Sequence, residues 1–243
     1  LVELYFKQMN IIPEYIDDEN RDLFILSKGH SMEAYYAVLA EKNFVNLDDI
    51  IKNFSKFGSK YIGHPNNKLP GIEMNSGSLG HGLPVCVGMA IASKMDKKNN
   101  RIYVVMGDGE LAEGSVWEGA MAARQYKLDN LCAVVDRNRL QISGNTEDIM
   151  GHDDLHERFK SFGWTVIDVK DGNDIDELDA AFEKAKTVKD CPSVLIANTV
   201  KGKGSSVIEN KANWHHRVPS EDEYQTIMKD LKTAEEVLLN DGQ

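Results

Sequence analysis

Nothing in this chain limits its architecture as firmly as an alternation of short apolar runs with helical stretches. Four β-branched runs lie at 102–106 (IYVVM), 131–136 (LCAVVD), 164–169 (WTVIDV) and 193–199 (SVLIANT). Their length and lack of polar interruption suit strands buried on both faces, and a stretch with helical features separates each from the next. Strand–helix–strand order of this kind builds a parallel sheet. The expected fold is α/β, a three-layer α/β/α arrangement around a mostly parallel sheet, with residues 1–243 forming one domain.

Three helices carry start signals. Ser115-Val-Trp-Glu118, Asp174-Ile-Asp-Glu177 and Ser220-Glu-Asp-Glu223 each place a capping oxygen three residues before a Glu. After the second, Ile175, Leu178, Phe182 and Ala185 fall on one helical face. Before residue 100 the chain reads as helices and loops, with a glycine-rich segment at 71–82. The opening residues LVELYFKQM show a helix-like apolar pattern without an initiator Met, so an element is expected to begin upstream of Leu1.

With 42% hydrophobic residues the chain can bury a sizeable core. A net charge of −11 argues against a nucleic-acid partner, which needs a basic footprint. Cys86, Cys132 and Cys191 are an odd, scattered set without paired spacing, which fits a reduced compartment better than a disulfide scaffold. No apolar run approaches the roughly 18 residues of a membrane span and no signal peptide is seen, so a cytoplasmic chain with no membrane partner is expected.

The run at 102–106 ends in Gly107-Asp108-Gly109, shortly before the Ser115 box. A strand–loop–helix unit of this kind holds phosphates at a helix N-terminus. Yet GxGxxG and GxxxxGK[ST] are both absent, and Ser27-Lys28-Gly29-His30-Ser31 lacks the spacing of a phosphate loop. A bare carboxylate about 4 Å from a phosphate oxygen is repelled by about 4 kcal/mol at an effective dielectric near 20. A divalent cation between them reverses the sign, and Mg²⁺ or Ca²⁺ suits oxygen ligands. Asn138, in the polar turn after the next run, is placed to share that ion, because adjacent parallel strands bring their C-terminal ends together. Asp-Gly alone is most often just a turn. The joint placement of Asp108 and Asn138 at two strand ends is what favours a functional reading.

GDG followed about thirty residues later by Asn resembles the motif of thiamine diphosphate enzymes. Further segments are similar to transketolase: NRDLFILSKGH (20–30), GHP (63–65), GSLGHG (77–82), GDGELAEG (107–114), DRN (136–138) and NWHHRVP (213–219). They run in that family's order over nearly the whole chain. The resemblance implies a diphosphate-binding domain whose cofactors are thiamine diphosphate and Mg²⁺ (or Ca²⁺). It also implies that the pyrimidine-binding and C-terminal domains lie on a separate subunit, which carries the Glu that activates the cofactor. The expected protein is the N-terminal subunit of a split transketolase, an α2β2 heterotetramer acting on sugar phosphates.

Site residues follow from the same resemblance. Asp108, Asn138 and the Leu140 carbonyl are the metal ligands; Gly109 and Asn138 touch the diphosphate. The Gly77 backbone contacts the aminopyrimidine, where a missing side chain permits close approach, and Leu79 supports the bent cofactor. His30, His64 and His215 line the channel: His64 orients the donor C1 hydroxyl, while His30 and His215 contact the diphosphate and assist proton transfers. Ser78 and His81 stand where many members have Pro and Gln, and His216 replaces a common Gly. The family has a further histidine upstream of the segment LVELYF. His152 and His156 read as ordinary structural histidines. Glu113 and Glu118 lie near the expected partner interface; the interface role is favoured for Glu113, and closure of the Ser115 box for Glu118. The implied activity moves a two-carbon ketol unit from a ketose to an aldose. Alternatives are a 1-deoxyxylulose-5-phosphate synthase-like or specialised-sugar transferase subunit, and a non-catalytic cofactor-binding scaffold.

Overall fold

All four expected runs are strands in a computed structural model that describes residues 1–241, and a fifth strand joins them from an unexpected place. In chain order the elements are β1 (Leu23–Leu26), α1 (Met32–Glu41), α2 (Leu47–Asn53), α3 (Gly82–Met95), β2 (Ile102–Gly107), α4 (Gly114–Gln125) and β3 (Leu131–Arg137). There follow β4 (Leu140–Gln141), β5 (Gly144–Asn145), α5 (Thr146–Met150), α6 (Leu155–Ser161), β6 (Thr165–Val169), α7 (Ile175–Thr187), β7 (Ser193–Asn198) and α8 (Glu221–Asp241). Short π or 3-10 turns occupy Leu4–Gln8 and Ala212–Trp214, among others. The opening helix-like pattern thus corresponds to a single turn that buries Leu4 and Tyr5.

The sheet order is β1-β2-β3-β7-β6, and every neighbouring pair is parallel. Side chains alternate between its faces, as the pleat requires. Phe24, Tyr103, Cys132, Val134 and Leu195 face one core, which α1 and α7 cover through Tyr35, Leu39, Phe182 and Ala185. Ile25, Val104, Met106, Ala133 and Ile196 face the other, covered by α3, α4 and α6 through Cys86, Ala90, Val116, Ala120 and Phe159. Helices on both faces of a parallel sheet make the expected three layers.

β1 lies in a region that the apolar pattern assigns to helices and loops. Leu23–Leu26 has four residues and one β-branched side chain, too little for period-2 patterning to register. Pairing with β2, from Leu23 opposite Ile102 to Leu26 opposite Val105, makes it a strand. Its consequence is large, because β1 delivers Ser27, Lys28 and His30 to the same sheet edge as Asp108 and Asn138.

The caps divide two to one. Asp174 accepts from the amides of Asp176 and Glu177 at the start of α7, and Ser220 and Glu223 exchange side-chain-to-backbone bonds at the start of α8. Within α7, Ala181, Phe182 and Ala185 are buried and Leu178 packs at the core's edge, but Ile175 is exposed in the first turn. The Ser115 box does not form. Extended backbone at Glu113 starts α4 at Gly114, so Ser115 is already inside the helix and donates its hydroxyl to the Gly80 carbonyl at 2.9 Å. Glu118 therefore has no box to close.

Candidate functional site

Because all five strands are parallel, their C-terminal ends share one edge, where α/β sheets place their ligands. Three loops meet there. β2 ends at Gly107 opposite Asp136 of β3, so the loops bearing Asp108 and Asn138 emerge side by side. The third, after β1, carries Ser27-Lys28-Gly29-His30.

Asp108 is 2% exposed, and its carboxylate is held from the backbone. Oδ1 accepts from the Gly109 amide at 2.9 Å, and Oδ2 accepts from the Arg139 amide at 2.6 Å. Burial raises its pKa, and those two backbone bonds only partly oppose the rise. Across the gap, Asn138 Oδ1 accepts from the Leu140 amide at 3.0 Å. Between Asn138 and Leu140 the backbone of Arg139 is left-handed (φ 61°), uncommon for a residue with a side chain. This kink turns the chain out of β3 and into the β4–β5 hairpin, bringing the Arg139 amide to Asp108.

A cavity of about 220 Å³ opens over these groups. Asp108, Gly109, Asn138 and Leu140 line it, as do His30, Leu79 and His215. Seven of the expected site residues therefore share one space. The donor set fits a hard dication: one buried carboxylate, one amide oxygen and one carbonyl, leaving room for phosphate oxygens. Among the described residues no cluster of three or more His, Cys, Asp or Glu could hold a metal, so a site here depends on amide and carbonyl oxygens.

His30 and His215 stack with ring centroids 5.0 Å apart and planes 30° apart. Burial, then the charges of Lys28, His215 and Lys201, push His30 down to about 4. His215 is lowered by burial and by the same two lysines. Both shifts favour the neutral imidazole. His215 lines the cavity and its neighbour His216 is exposed, which settles which of that pair faces inward.

Gly77 and His64 sit outside the cavity wall but next to it. The His64 ring carbon Cδ2 lies 3.4 Å from where a Gly77 Cβ would project. Gly29 is wedged against Ser76 and Pro65, and Ser76 Oγ donates to the Leu26 carbonyl at 2.8 Å, so the β1 loop, GHP segment and glycine-rich segment are stitched together. Ser78 is exposed, and His81 Nδ1 lies 3.2 Å from the Ser78 and Leu79 carbonyls, closing the loop before α3. Glu113, just before α4, and Glu118 on it are exposed and outside the cavity lining. His152 is buried with Nδ1 3.3 Å from an Arg158 nitrogen and with Nε2 lacking a hydrogen-bond partner among the described residues, and His156 pairs with Asp168 at the surface.

Four charged groups at the site escape sequence reading. Lys28 Nζ reaches Asp136 Oδ2 at 2.5 Å, and Thr199 Oγ1 also donates to Asp136. Burial pushes Asp136 up, but Lys28 and Thr199 outweigh it and hold the carboxyl below its usual range. Lys201 is lowered by burial and then by Lys28. Glu110, 2% exposed, accepts from Ser27 Oγ and from the Gly80 and Gly107 amides. Lys28 shows no phosphate-loop spacing, and its partner is 108 positions away, so no local pattern joins them.

Residues 2–236 match the family described as transketolase, thiamine diphosphate binding domain. The chain belongs to this family. It is 44% identical over 238 residues, covering 98% of this chain and 84% of the other, to an apulose-4-phosphate transketolase subunit from Phocaeicola vulgatus. It is 38% identical, with 96% and 84% coverage, to the 6-deoxy-6-sulfo-D-fructose transketolase subunit SqwG of a Clostridium species. The fold is similar to that of Campylobacter jejuni transketolase, with a TM-score of 0.85 at 29% identity over 95% of this chain but only 37% of that one. Relative to that solved transketolase, the chain thus spans less than half the length. The transketolase resemblance read from the motifs and the thiamine diphosphate-binding α/β fold are both borne out.

Proposed function

We propose that this chain is the diphosphate-binding subunit of a two-chain transketolase, moving a two-carbon ketol unit from a ketose phosphate to an aldose phosphate. One observation carries the reading: Asp108, Asn138 and Leu140 line one cavity together with His30, Leu79 and His215. A single domain over residues 1–243 would then be completed by a separate subunit with the pyrimidine domain and activating Glu, in an α2β2 assembly. The relatives that are themselves named as transketolase subunits favour such a division. Three free cysteines, two of them buried, go with a cytoplasmic setting.

Within the site, Mg²⁺ or Ca²⁺ would be held by the Asp108 carboxylate, Asn138 Oδ1 and the Leu140 carbonyl. Gly109 and Asn138 would contact the diphosphate. When bound, thiamine diphosphate supplies the nucleophilic carbon that makes cleavage beside a ketose carbonyl possible. The remaining work belongs to this chain. Leu79 shapes the cavity wall, and the Gly77 backbone would approach the cofactor ring from beside it. His64 lies where it can orient a sugar hydroxyl. His30 and His215, both shifted toward the neutral form before binding, can accept a proton when a phosphate charge arrives, then exchange it with substrate oxygens. Glu113, exposed at the start of α4, is available to the partner's activating carboxylate, and Glu118 lies one turn along.

A second reading differs in substrate alone. The names apulose-4-phosphate and 6-deoxy-6-sulfo-D-fructose among the relatives favour a donor outside the common pentose phosphates. Co-expression with the neighbouring open reading frame, followed by a panel of ketose and aldose phosphates, tests both. Ketol transfer by the pair and none by either chain alone supports the proposal; full turnover by this chain alone refutes its partner dependence. Cofactor binding without any transfer by the pair would instead indicate a scaffold.

A further inference from the structure

We propose that Glu110 is a positioning residue that fixes the glycine-rich loop, residues 77–82, relative to the Asp108 carboxylate and so sets the span of the cofactor cradle. This rests on the reading of the cavity as a thiamine diphosphate site. Glu110 is 2% exposed, and none of its three hydrogen bonds is a salt bridge. The bonds come from three separate segments. Oε1 accepts from the Ser27 hydroxyl after β1 and from the Gly80 amide at 2.8 Å, and Oε2 accepts from the Gly107 amide at the end of β2 at 3.1 Å. Ser27 Oγ in turn accepts from the Gly82 amide at 3.1 Å, so one carboxylate anchors both ends of the turn into α3.

The opposite side of Gly80 is tied to the same β2–α4 connection. Its carbonyl accepts from Ser115 Oγ at 2.9 Å. Gly80 has φ +83°, and a Cβ there would lie 2.6 Å from Glu113 Cβ, so the loop lies flush on this connection. Leu79, next to the anchored peptide, lines the cavity with Asp108. Two backbone amides and a hydroxyl all point inward as donors, and a carboxylate supplies the two oxygens they need. An amide cannot: in either flip, Glu110→Gln sets its NH₂ against at least one backbone N–H. Asp108 and Leu79 are then no longer held at one separation, although the sheet is untouched.

The test uses the full chain assembled with its partner subunit, with Mg²⁺ and two probes, thiamine diphosphate and inorganic pyrophosphate, titrated calorimetrically. Pyrophosphate engages the metal end of the cradle alone. For Glu110→Gln the expected result is a Kd for thiamine diphosphate about tenfold weaker, with pyrophosphate within about twofold of wild type. Ser115→Ala, a half-buried hydroxyl whose loss spares the core, is expected to move thiamine diphosphate in the same direction and is decisive if Glu110→Gln does not fold. Equal weakening of both probes would mean that Glu110 acts only through general stability, and would overturn the inference while leaving the site reading intact. So would a wild type that binds both probes equally well. Failure of the wild type to bind either probe would overturn the site reading and the inference with it.

Discussion

The backbone amide of Arg139 donates to Asp108 Oδ2 at 2.6 Å, across the gap between the β2 and β3 loops. That bond joins the carboxylate from one strand end to the turn carrying Asn138 and Leu140 from the next. Asp108→Ala removes the acceptor, the charge and the metal ligand together. The expected outcome is loss of at least about 100-fold in thiamine diphosphate affinity in Mg²⁺, roughly 2.7 kcal/mol. Calorimetry checks it, and retention of tight metal-dependent binding would contradict the ligand assignment.

Lys28→Met strands the Asp136 carboxylate. Breaking a fully buried pair costs about 3–5 kcal/mol. With the Asp136 side chain 25% exposed, about 2 kcal/mol is expected here, read from the denaturant midpoint of the cofactor-free chain. Lys28→Met/Asp136→Leu should recover most of it, because the unpaired charge is gone.

His30 sets a pH dependence with a definite sign. Burial and nearby cations put its native pKa at about 4, against about 6.5 unfolded. Between those values the unfolded chain binds a proton that the native chain does not, so stability falls as the pH is lowered from about 6.5 toward 4. His30→Asn should flatten that segment of the stability curve. Identical slopes in the two proteins would mean that the imidazole is not kept neutral.

Diphosphate binding near pH 5.5 should draw protons onto His30 and His215, since an added anion favours their charged forms. Calorimetry in buffers of different ionisation enthalpy should therefore report net proton uptake. None, or net release, would place the anion away from these rings.

Asp174→Ala serves as a control outside the lining of the site cavity. The residue caps α7 with bonds to the Asp176 and Glu177 amides, and its loss should cost about 1 kcal/mol. Cofactor affinity should not change.

Much of this organisation can be read from the sequence. Strands β2, β3 and β7 announce themselves because each is buried on both faces; β6, at the sheet edge with Asp168 exposed, is less buried than its run suggests and shows itself by its β-branched residues. Asp108 and Asn138 stand out because their strands are neighbours in sequence as well as in space. β1 stays hidden, since four residues cannot display a period and its identity comes from pairing with residues about eighty positions later. A still longer separation, 108 positions, conceals the Lys28–Asp136 pair, and the Glu110–Gly80 bond is hidden because its two residues lie on loops with no strand pattern joining them. Ser115 carries a start signal yet serves Gly80, because a hydroxyl inside a tight loop junction finds a tertiary acceptor before it finds its own helix.

The most direct measurement is the affinity of the purified chain, assembled with its partner, for thiamine diphosphate before and after removal of divalent metal by a chelator. A fall of about 100-fold on chelation, restored by Mg²⁺ or Ca²⁺, is predicted for a dication bridging Asp108, Asn138 and the diphosphate. Unchanged affinity in the chelated protein would contradict it.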